Sequence, residues 1–168
     1  NAEWSGEGSP YLGIEPEISD DPAVLRSADK VIFPGVGEAS TAMEYLRKDG
    51  LDSLIPTLTQ PVLGICLGMQ LMCTHSEENN TPCLGIVEVK KFEVLEKVPQ
   101  MGWNTIHDLK SPLFKGVAEN SYVYFVHSYY AAMNPYAIAT TDYILPYASA
   151  MHKDNFYAAQ FHPEKSSD

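Results

Sequence analysis

The sequence predicts an α/β protein with a mixed, largely parallel central sheet, flanking helices in a three-layer arrangement, and additional β-strands in the second half. Two short apolar runs, residues 31–33 and 61–65, each lead through glycines into a helical pattern. Successive strand–turn–helix units imply parallel strands covered by helices on both faces. After residue 82 the chain is instead rich in β-branched and aromatic residues, which favour strands.

The first unit begins with the strand over residues 31–33, which stops at Pro34-Gly35-Val36-Gly37. A helix is expected next, because Met43, Leu46 and Leu51 fall near helical spacing. Gly50 then predicts the C-terminal end of that helix, since glycine readily adopts the left-handed conformation found there.

The second unit and the strand-rich half complete the predicted architecture. The apolar strand over residues 61–65 runs into Cys66, and residues 67–73 are predicted to form the helix that leaves it. A polar loop follows over residues 76–82. Further strands are predicted over residues 86–94, 103–106, 122–126, 137–141 and 156–161.

Length and charge limit the classes of function. The 168 residues suit one domain. With 11 basic and 22 acidic residues the net charge is −11, which argues against nucleic acid or an anionic membrane as partner, because both attract clustered Lys and Arg. Residues 1–22 hold six acidic and no basic residues, so we predict a solvated loop or leader, atypical over 1–17.

The cysteines and the apolar runs indicate a cytoplasmic protein without a membrane span. Cys66, Cys73 and Cys83 are odd in number and form no CxxC pair, so neither a disulfide framework nor a metal site is predicted. No apolar run approaches the roughly 20 residues of a membrane helix. The first residues are acidic, whereas a signal peptide starts with basic residues.

The sharpest local motif is Gly64-Ile65-Cys66-Leu67-Gly68, which has the form of a nucleophile elbow. In such an elbow a strand turns sharply into a helix and presents one side chain at the apex, here Cys66. The positive end of the helix dipole is expected to stabilise its thiolate, and the N–H of Leu67 would face a carbonyl oxygen under attack. The alternative is a small buried thiol at a glycine-rich strand end.

A cysteine nucleophile needs a base, and His162 is the best placed of the five histidines. It follows the strand predicted over residues 156–161 and precedes Pro163, which favours an extended backbone. Residues i and i+2 then share a face, so Glu164 can lie beside the imidazole and orient it. The alternative for this segment is a solvated turn. His127, within an aromatic strand, is interpreted as a packed or substrate-side residue.

The loop Pro34-Gly35-Val36-Gly37 is the third candidate element. Its glycines allow a close approach of the backbone to a ligand, so its N–H groups can supply the second donor of an oxyanion hole. The alternative is an ordinary strand-to-helix turn. The loop lacks the lysine and the spacing of a phosphate-binding P-loop.

Read together, these motifs resemble those of the class I, triad-type glutamine amidotransferases, whose fold is a flavodoxin-like three-layer sheet. The resemblance extends from about Ser19 to the last residue. Within the family it is closest to the glutaminase subunits of imidazole glycerol phosphate synthase, on the strength of Met101-Gly102-Trp103-Asn104, residues 124–129 and residues 160–166.

The resemblance implies that Cys66 attacks the glutamine side-chain amide and that His162, oriented by Glu164, transfers the proton. Ammonia leaves, and water releases glutamate from the thioester. The oxyanion and substrate positions implied by the resemblance are Gly35, Val36, Leu67 and Gln70. No cofactor and no metal are expected.

The resemblance also implies a partner. In this family the ammonia passes to a barrel-shaped cyclase subunit, with which the chain is expected to form a heterodimer in histidine biosynthesis. Trp103, Asn104 and Lys165 match positions near that partner. The alternatives are an amidotransferase for anthranilate, aminodeoxychorismate or GMP synthesis, a partner-binding module with an unused triad, or a cysteine hydrolase acting on peptides.

Two departures from the family pattern stand out. Family members open with an apolar strand and a Gly-Asn turn, and residues 1–17 resemble neither. Members also continue past the His-Pro-Glu motif into a final helix, which is not expected in residues 1–168. We treat this range as one amidotransferase domain.

Overall fold

The computed structural model describes residues 13–89, 92–94 and 99–166. The first twelve residues of the predicted loop and two residues of the strand predicted over 86–94 lie outside this part of the chain. Residues 13–21 have no regular secondary structure. No helix in the described ranges has both the length and the apolar character needed to cross a membrane.

The described residues form four α-helices and eleven strands. The helices are α1 (Pro22–Ser27), α2 (Ala39–Lys48), α3 (Leu51–Leu54) and α4 (Leu67–Met72). The strands are β1 (Val31–Gly35), β2 (Val62–Cys66), β3 (His75–Ser76), β4 (Thr81–Pro82), β5 (Phe92–Val94), β6 (Gln100–Ile106), β7 (Ser121–His127), β8 (Tyr129–Ala131), β9 (Ala137–Tyr143), β10 (Leu145–Lys153) and β11 (Phe156–Ala159). Short 3-10 turns cover Ile55–Thr57, Glu78–Asn80, Pro112–Phe114 and Pro163–Lys165.

Seven strands form the main sheet, in the order β1-β2-β11-β10-β8-β5, with β9 also pairing with β10. Strands β1, β2 and β11 are parallel neighbours, and the other pairings in this sheet are antiparallel. The predicted mixed α/β fold is therefore confirmed. Antiparallel pairing is more extensive than the expected largely parallel sheet, because strands from the second half extend the same sheet.

Both strand–turn–helix units occur where the sequence predicts them. β1 leads to α2 and β2 leads directly to α4. Helix α2 buries Met43 and Leu46, and it ends before Gly50, whose φ of 71° is left-handed. All six residues of α4 are buried, which fixes the helix that follows Cys66 against the sheet.

The strands of the second half are predicted less completely. β6, β7, β9 and β11 overlap the predicted strands. The strand expected over residues 86–94 is wrong in its first part, where Val87 makes only an isolated bridge to Cys73. Helix α1 and strands β8 and β10 are not predicted. The residues of β10, Leu-Pro-Tyr-Ala-Ser-Ala-Met-His-Lys, lack β-branched side chains, so propensity gives no signal there.

Candidate active site

The functional site lies where three adjacent parallel strands end. The register pairs Gly35 of β1 with Cys66 of β2, and Ile65 of β2 with Ala159 of β11. The segment after β11 therefore brings His162 to the edge of the sheet that carries Cys66. Ligands of α/β proteins bind at the carboxyl ends of parallel strands, so this edge is the expected position for a site.

The turn at Cys66 has the strained geometry of a nucleophile elbow. Cys66 has φ 54° and ψ −107°, which is an uncommon conformation for a residue with a side chain. A Cβ at Gly68 would lie 1.9 Å from the Phe33 carbonyl oxygen, and one at Gly64 would lie 2.9 Å from the Gly68 backbone. Only glycine fits at either position, so the packing of β2, α4 and β1 holds Cys66 at the apex.

Burial controls the ionisation of the Cys66 thiol. It raises the pKa to about 11, a backbone hydrogen bond from Leu67 lowers it, and the Glu164 carboxylate adds a smaller increase. The Leu67 contribution has the direction expected of a helix N-terminus, but helix α4 has only six residues and burial has the larger effect on the pKa.

The thiol is held by hydrogen bonds from two directions. It donates to the Val126 carbonyl oxygen at 3.6 Å, and it accepts from the Gln160 amide nitrogen Nε2 at 3.8 Å. Within the described ranges Cys66 and His162 share no hydrogen bond, although both line the same cavity.

His162 and Glu164 form a closely coupled pair. Nδ1 of the imidazole lies 2.8 Å from Oε1 of Glu164, and His162 is only 6% exposed. The backbone at His162 is extended, but Pro163–Lys165 forms a 3-10 turn. This turn, and not a continuous extended segment, brings the carboxylate to the ring. With Nδ1–H donating to Glu164, Nε2 is free to accept a proton.

These groups surround a cavity of about 420 Å³, a volume within the range of small-molecule sites. Six residues predicted from the sequence line it: Val36, Cys66, Leu67, Gln70, His162 and Lys165. Gly35 instead packs against Leu67, where a Cβ would lie 2.9 Å from the Leu67 Cβ. Glu164 lies behind the imidazole of His162.

Several lining residues are not among the sequence-predicted site residues. They are Gly37, Glu78, Pro99, Met101, Val126, His127, Ser128, Tyr129 and Gln160. The carboxylate of Glu78 accepts from the Ala39 N–H at 2.7 Å and from Gln70 Nε2 at 3.4 Å. Glu78 lies in the polar loop over residues 76–82. The sequence of this loop is typical of a solvated segment, so it gives no signal that Glu78 belongs to the site. Gln160 belongs to a motif recognised in the sequence, but its contact with Cys66 depends on the fold.

His127 is both a packed residue and a lining residue, which combines the two interpretations suggested by the sequence. It is 8% exposed, and its Nδ1 lies 2.7 Å from the Tyr129 carbonyl oxygen. Burial lowers its pKa to about 4, the hydrogen bond with Tyr129 raises it, and the neighbouring His162 lowers it slightly. His127 is therefore neutral at physiological pH.

This low pKa predicts a pH-dependent stability. Between the ordinary pKa of 6.5 and the folded pKa of about 4, the unfolded chain binds a proton at His127 that the folded chain does not. The free energy of unfolding is therefore highest above pH 6.5, and it falls by about 3 kcal/mol as the pH decreases toward 4. Urea denaturation from pH 7 to pH 4 should show this slope in the wild type. His127→Asn should lack that part of it, and equal slopes would contradict the assignment.

The predicted partner-facing residues are spread over two regions. Trp103 is 50% exposed and packs edge-on against Tyr124, with ring centroids 5.6 Å apart. Asn104 donates from Nδ2 to the Asp142 carbonyl oxygen at 3.0 Å, so it joins β6 to β9. Lys165 lines the cavity itself and lowers the pKa of Cys66.

The reactive side chains at the cavity are a thiol and a carboxylate-bound imidazole. This set is suited to nucleophilic attack on a carbonyl carbon with proton transfer. Over residues 13–89, 92–94 and 99–166, no group of three or more His, Cys, Asp or Glu side chains is placed to hold a metal ion.

Comparison with known proteins decides the family. The model of the family described as "Glutamine amidotransferase class-I" matches residues 15–168. The chain belongs to the class-I glutamine amidotransferase family. The cysteine, the histidine–glutamate pair and the glycine loop therefore lie in the sequence of a class-I glutamine amidotransferase.

Two relatives of this class-I glutamine amidotransferase carry the same protein name. It is 60% identical over 162 residues to the imidazole glycerol phosphate synthase subunit HisH of Bacteroides fragilis (strain YCH46), covering 94% of this chain and 83% of that protein. It is 46% identical over 159 residues to the subunit of the same name from Escherichia coli (strain K12), covering 92% and 81%.

Solved structures share the fold of this class-I glutamine amidotransferase. A putative GMP synthase subunit from Thermoplasma acidophilum superposes with a TM-score of 0.67, covering 96% of this chain and 79% of that chain at 18% identity. A glutamine amidotransferase from Thermotoga maritima gives a TM-score of 0.59, covering 91% and 61% at 18% identity. At these identities the likeness concerns the fold alone.

Proposed function

We propose that the protein is the glutaminase subunit of an imidazole glycerol phosphate synthase, which hydrolyses glutamine to glutamate and ammonia. The observation that carries this proposal is the meeting of Cys66 and the His162–Glu164 pair on one cavity at the ends of β2 and β11. The relatives that bear this subunit name, at 46% and 60% identity, support the pathway.

In the first half-reaction the Cys66 sulfur attacks the side-chain carbonyl carbon of glutamine. Its proton passes to Nε2 of His162, and Glu164 stabilises the imidazolium that results. The carbonyl oxygen becomes an oxyanion, for which the Leu67 N–H and the backbone N–H groups at Gly35-Val36 are the proposed donors. When the carbon–nitrogen bond breaks, His162 returns the proton to nitrogen, and ammonia leaves a glutamyl thioester.

In the second half-reaction water attacks the thioester carbon. His162 takes a proton from the water, the same donors hold the oxyanion, and the carbon–sulfur bond breaks to give glutamate. The proton returns to the Cys66 sulfur and restores the thiol. Burial raises the pKa of that thiol, which favours proton transfer to His162 together with the attack.

The cavity also offers groups for the amino-acid end of glutamine. Glu78 and Gln70 lie together in the lining, joined at 3.4 Å, and the Gln70 amide also donates to the Ser76 hydroxyl. A carboxylate here is suited to the α-ammonium group of the substrate. We therefore add Glu78 to Gln70 as a substrate-binding residue, which sequence reasoning did not find.

The partner surface lies beside this cavity. Met101, Trp103 and Tyr122 of β6 and β7 are half or more exposed, at 68%, 50% and 66%, and a group of exposed apolar side chains is typical of an interaction site. Met101 also lines the cavity. A cyclase subunit bound over Trp103 and Lys165 would form the heterodimer next to the point of ammonia release, with Asn104 holding β6 in place.

The composition also supports the location that this pathway implies. The three cysteines are free thiols, which suits a reducing compartment. We place the protein in the cytoplasm as one amidotransferase domain over residues 1–168.

The proposal is tested by reconstitution with the cyclase subunit of a Bacteroides species. We expect glutamine to support formation of imidazole glycerol phosphate only when this chain is present, whereas ammonium should support the cyclase alone. Trp103→Ala should weaken association about tenfold, since an interface tryptophan is often a major contributor. Tyr45→Ala on α2, another exposed aromatic residue, is the matched control.

Three outcomes would contradict the proposal. Activation by an anthranilate, aminodeoxychorismate or GMP synthase partner in place of the cyclase would move the protein to another pathway. Binding to the cyclase without glutamine hydrolysis would indicate a partner-binding module. Hydrolysis of peptides without glutaminase activity would indicate a general cysteine hydrolase.

A further inference from the structure

A chain of buried polar side chains extends from the cavity wall into the core and has no part in the chemistry described above. It consists of Gln100 on β6, His127 at the end of β7 and Tyr147 on β10. All three residues are buried, with exposures of 3%, 8% and 0%. Buried polar groups are costly unless they are hydrogen-bonded, so their arrangement calls for a physical explanation.

The contacts fix the direction of hydrogen bonding. Nδ1 of His127 lies 2.7 Å from the Tyr129 carbonyl oxygen, which can only accept, so Nδ1 carries a proton. Because burial keeps His127 neutral, its Nε2 is an acceptor. The Tyr147 hydroxyl lies 3.2 Å from this nitrogen and therefore donates to it.

Gln100 completes the chain. Its side-chain Oε1 lies 2.8 Å from the Tyr147 hydroxyl, and its Nε2 is buried without a hydrogen-bond partner in the described part of the protein. The Tyr147 hydroxyl has one proton, and it donates that proton to His127, so it has none left for the Gln100 oxygen. If the Gln100 amide is flipped, its NH2 group donates to the Tyr147 oxygen and is no longer without a partner.

Residues 126–129, the segment that contains His127, contact the site at two places. The Val126 carbonyl oxygen accepts from the Cys66 thiol at 3.6 Å. Ser128 and Tyr129 line the cavity, at the break between β7 and β8. The imidazole spans this break, since one ring nitrogen contacts Tyr129 and the other is anchored to Tyr147 in the aromatic core, where Phe125 and Tyr130 pack edge-on against the tyrosine.

We propose that the chain Gln100–Tyr147–His127 is a positioning device for the glutaminase reaction. It anchors the His127 imidazole through Nε2, while the Tyr129 carbonyl sets its tautomer, and it thereby fixes residues 126–129. These residues receive the Cys66 thiol and form a wall of the glutamine cavity. The three side chains are positioning residues, because they act through this wall. The expected effect on the KM for glutamine rests on the proposed function. The hydrogen bonding of the His127 imidazole does not depend on it.

The test is Tyr147→Phe, which removes one oxygen and retains the ring packing. In the complex with the cyclase we expect the KM for glutamine to rise about tenfold with kcat changed less than about threefold. Nitrogen-15 NMR should show the Nδ1–H tautomer in both proteins, with the Nε2 resonance shifted downfield in the variant, because Nε2 has lost the hydrogen bond from the Tyr147 hydroxyl. Tyr143→Phe, a partly buried tyrosine packed on the same aromatic cluster, should leave both measurements unchanged.

A double-mutant cycle separates positioning from general loosening. His127→Asn retains a donor for the Tyr129 carbonyl but has no Nε2, so Tyr147→Phe should not raise the KM further in that background. If Tyr147→Phe fails to fold, Gln100→Leu serves instead, with an expected rise in KM of about threefold.

The results distinguish this inference from the proposed function. Wild-type KM together with an unchanged imidazole spectrum in Tyr147→Phe would overturn the inference, as would an equal rise in KM in both backgrounds or no change in Gln100→Leu. If the wild type hydrolyses no glutamine, the proposed function fails, and the NMR measurement still decides whether the Tyr147 hydroxyl donates to Nε2 of His127.

Discussion

Replacing Cys66 with alanine should reduce glutamine hydrolysis by at least about 10⁴-fold, because no other group at the cavity can form the thioester. The remaining cavity should still bind glutamine, since the variant removes only the sulfur atom. Cys66 packs at the end of β2 with its backbone held by Gly64 and Gly68, so the fold and the midpoint of thermal unfolding should be retained. Glutaminase assays and thermal denaturation of the same preparation check both expectations.

Cys83→Ala is the matched control. Cys83 is also a free thiol of intermediate burial, and its sulfur donates to the Thr81 carbonyl oxygen away from the cavity lining. It should hydrolyse glutamine at the wild-type rate. A diazoketone analogue of glutamine should label the wild type and Cys83→Ala once, and should not label Cys66→Ala. Hydrolysis by Cys66→Ala at more than about a hundredth of the wild-type rate would contradict the nucleophile assignment.

The parts of the site that could be predicted from the sequence are those whose residues lie close together along the chain. The glycines flanking Cys66 are two residues away on either side, so the motif can be recognised without the fold. The structure adds the reason at Gly68, where a Cβ would lie 1.9 Å from the Phe33 carbonyl oxygen. The contact between His162 and Glu164 is similarly a property of three consecutive residues.

The parts that sequence reasoning missed depend on distant segments. Glu78 reaches the cavity because its carboxylate caps the N-terminus of α2 at Ala39, 39 residues away. Tyr147 reaches His127 from β10, a strand whose central residues are small or flexible and fully buried. Burial of such residues by neighbouring strands determines their structure, and intrinsic propensity does not.

The pKa of Cys66 depends on two opposing effects, of which only one can be inferred from the local sequence. A helix N-terminus does favour a thiolate, by roughly 0.3–1 kcal/mol when exposed. Desolvation acts on the whole side chain and raises the pKa from 9.0 to about 11, which corresponds to about 3 kcal/mol. Burial is a property of the assembled fold, so only the structure could decide which effect is larger.

Gly68→Ala should be the most destabilising single substitution at this site, with a loss of about 4 kcal/mol or more in the free energy of unfolding. The new Cβ would lie 1.9 Å from the Phe33 carbonyl oxygen and 3.1 Å from its carbon, so β1 and α4 must separate. Both elements are packed in the main core, where displacement also breaks contacts of neighbouring side chains. Urea denaturation measures the loss.

Gly85→Ala distinguishes this steric effect from the ordinary cost of losing a glycine. Gly85 has φ of +68°, and no atom lies within 4 Å of a Cβ built there, so alanine should cost only about 1–2 kcal/mol through backbone strain. Because Gly68 lies within the first turn after Cys66, any Gly68→Ala protein that folds should also lose most of its glutaminase activity. If the two variants were equally stable, α4 would not be packed on β1 closely enough to hold Cys66 at the apex of the turn.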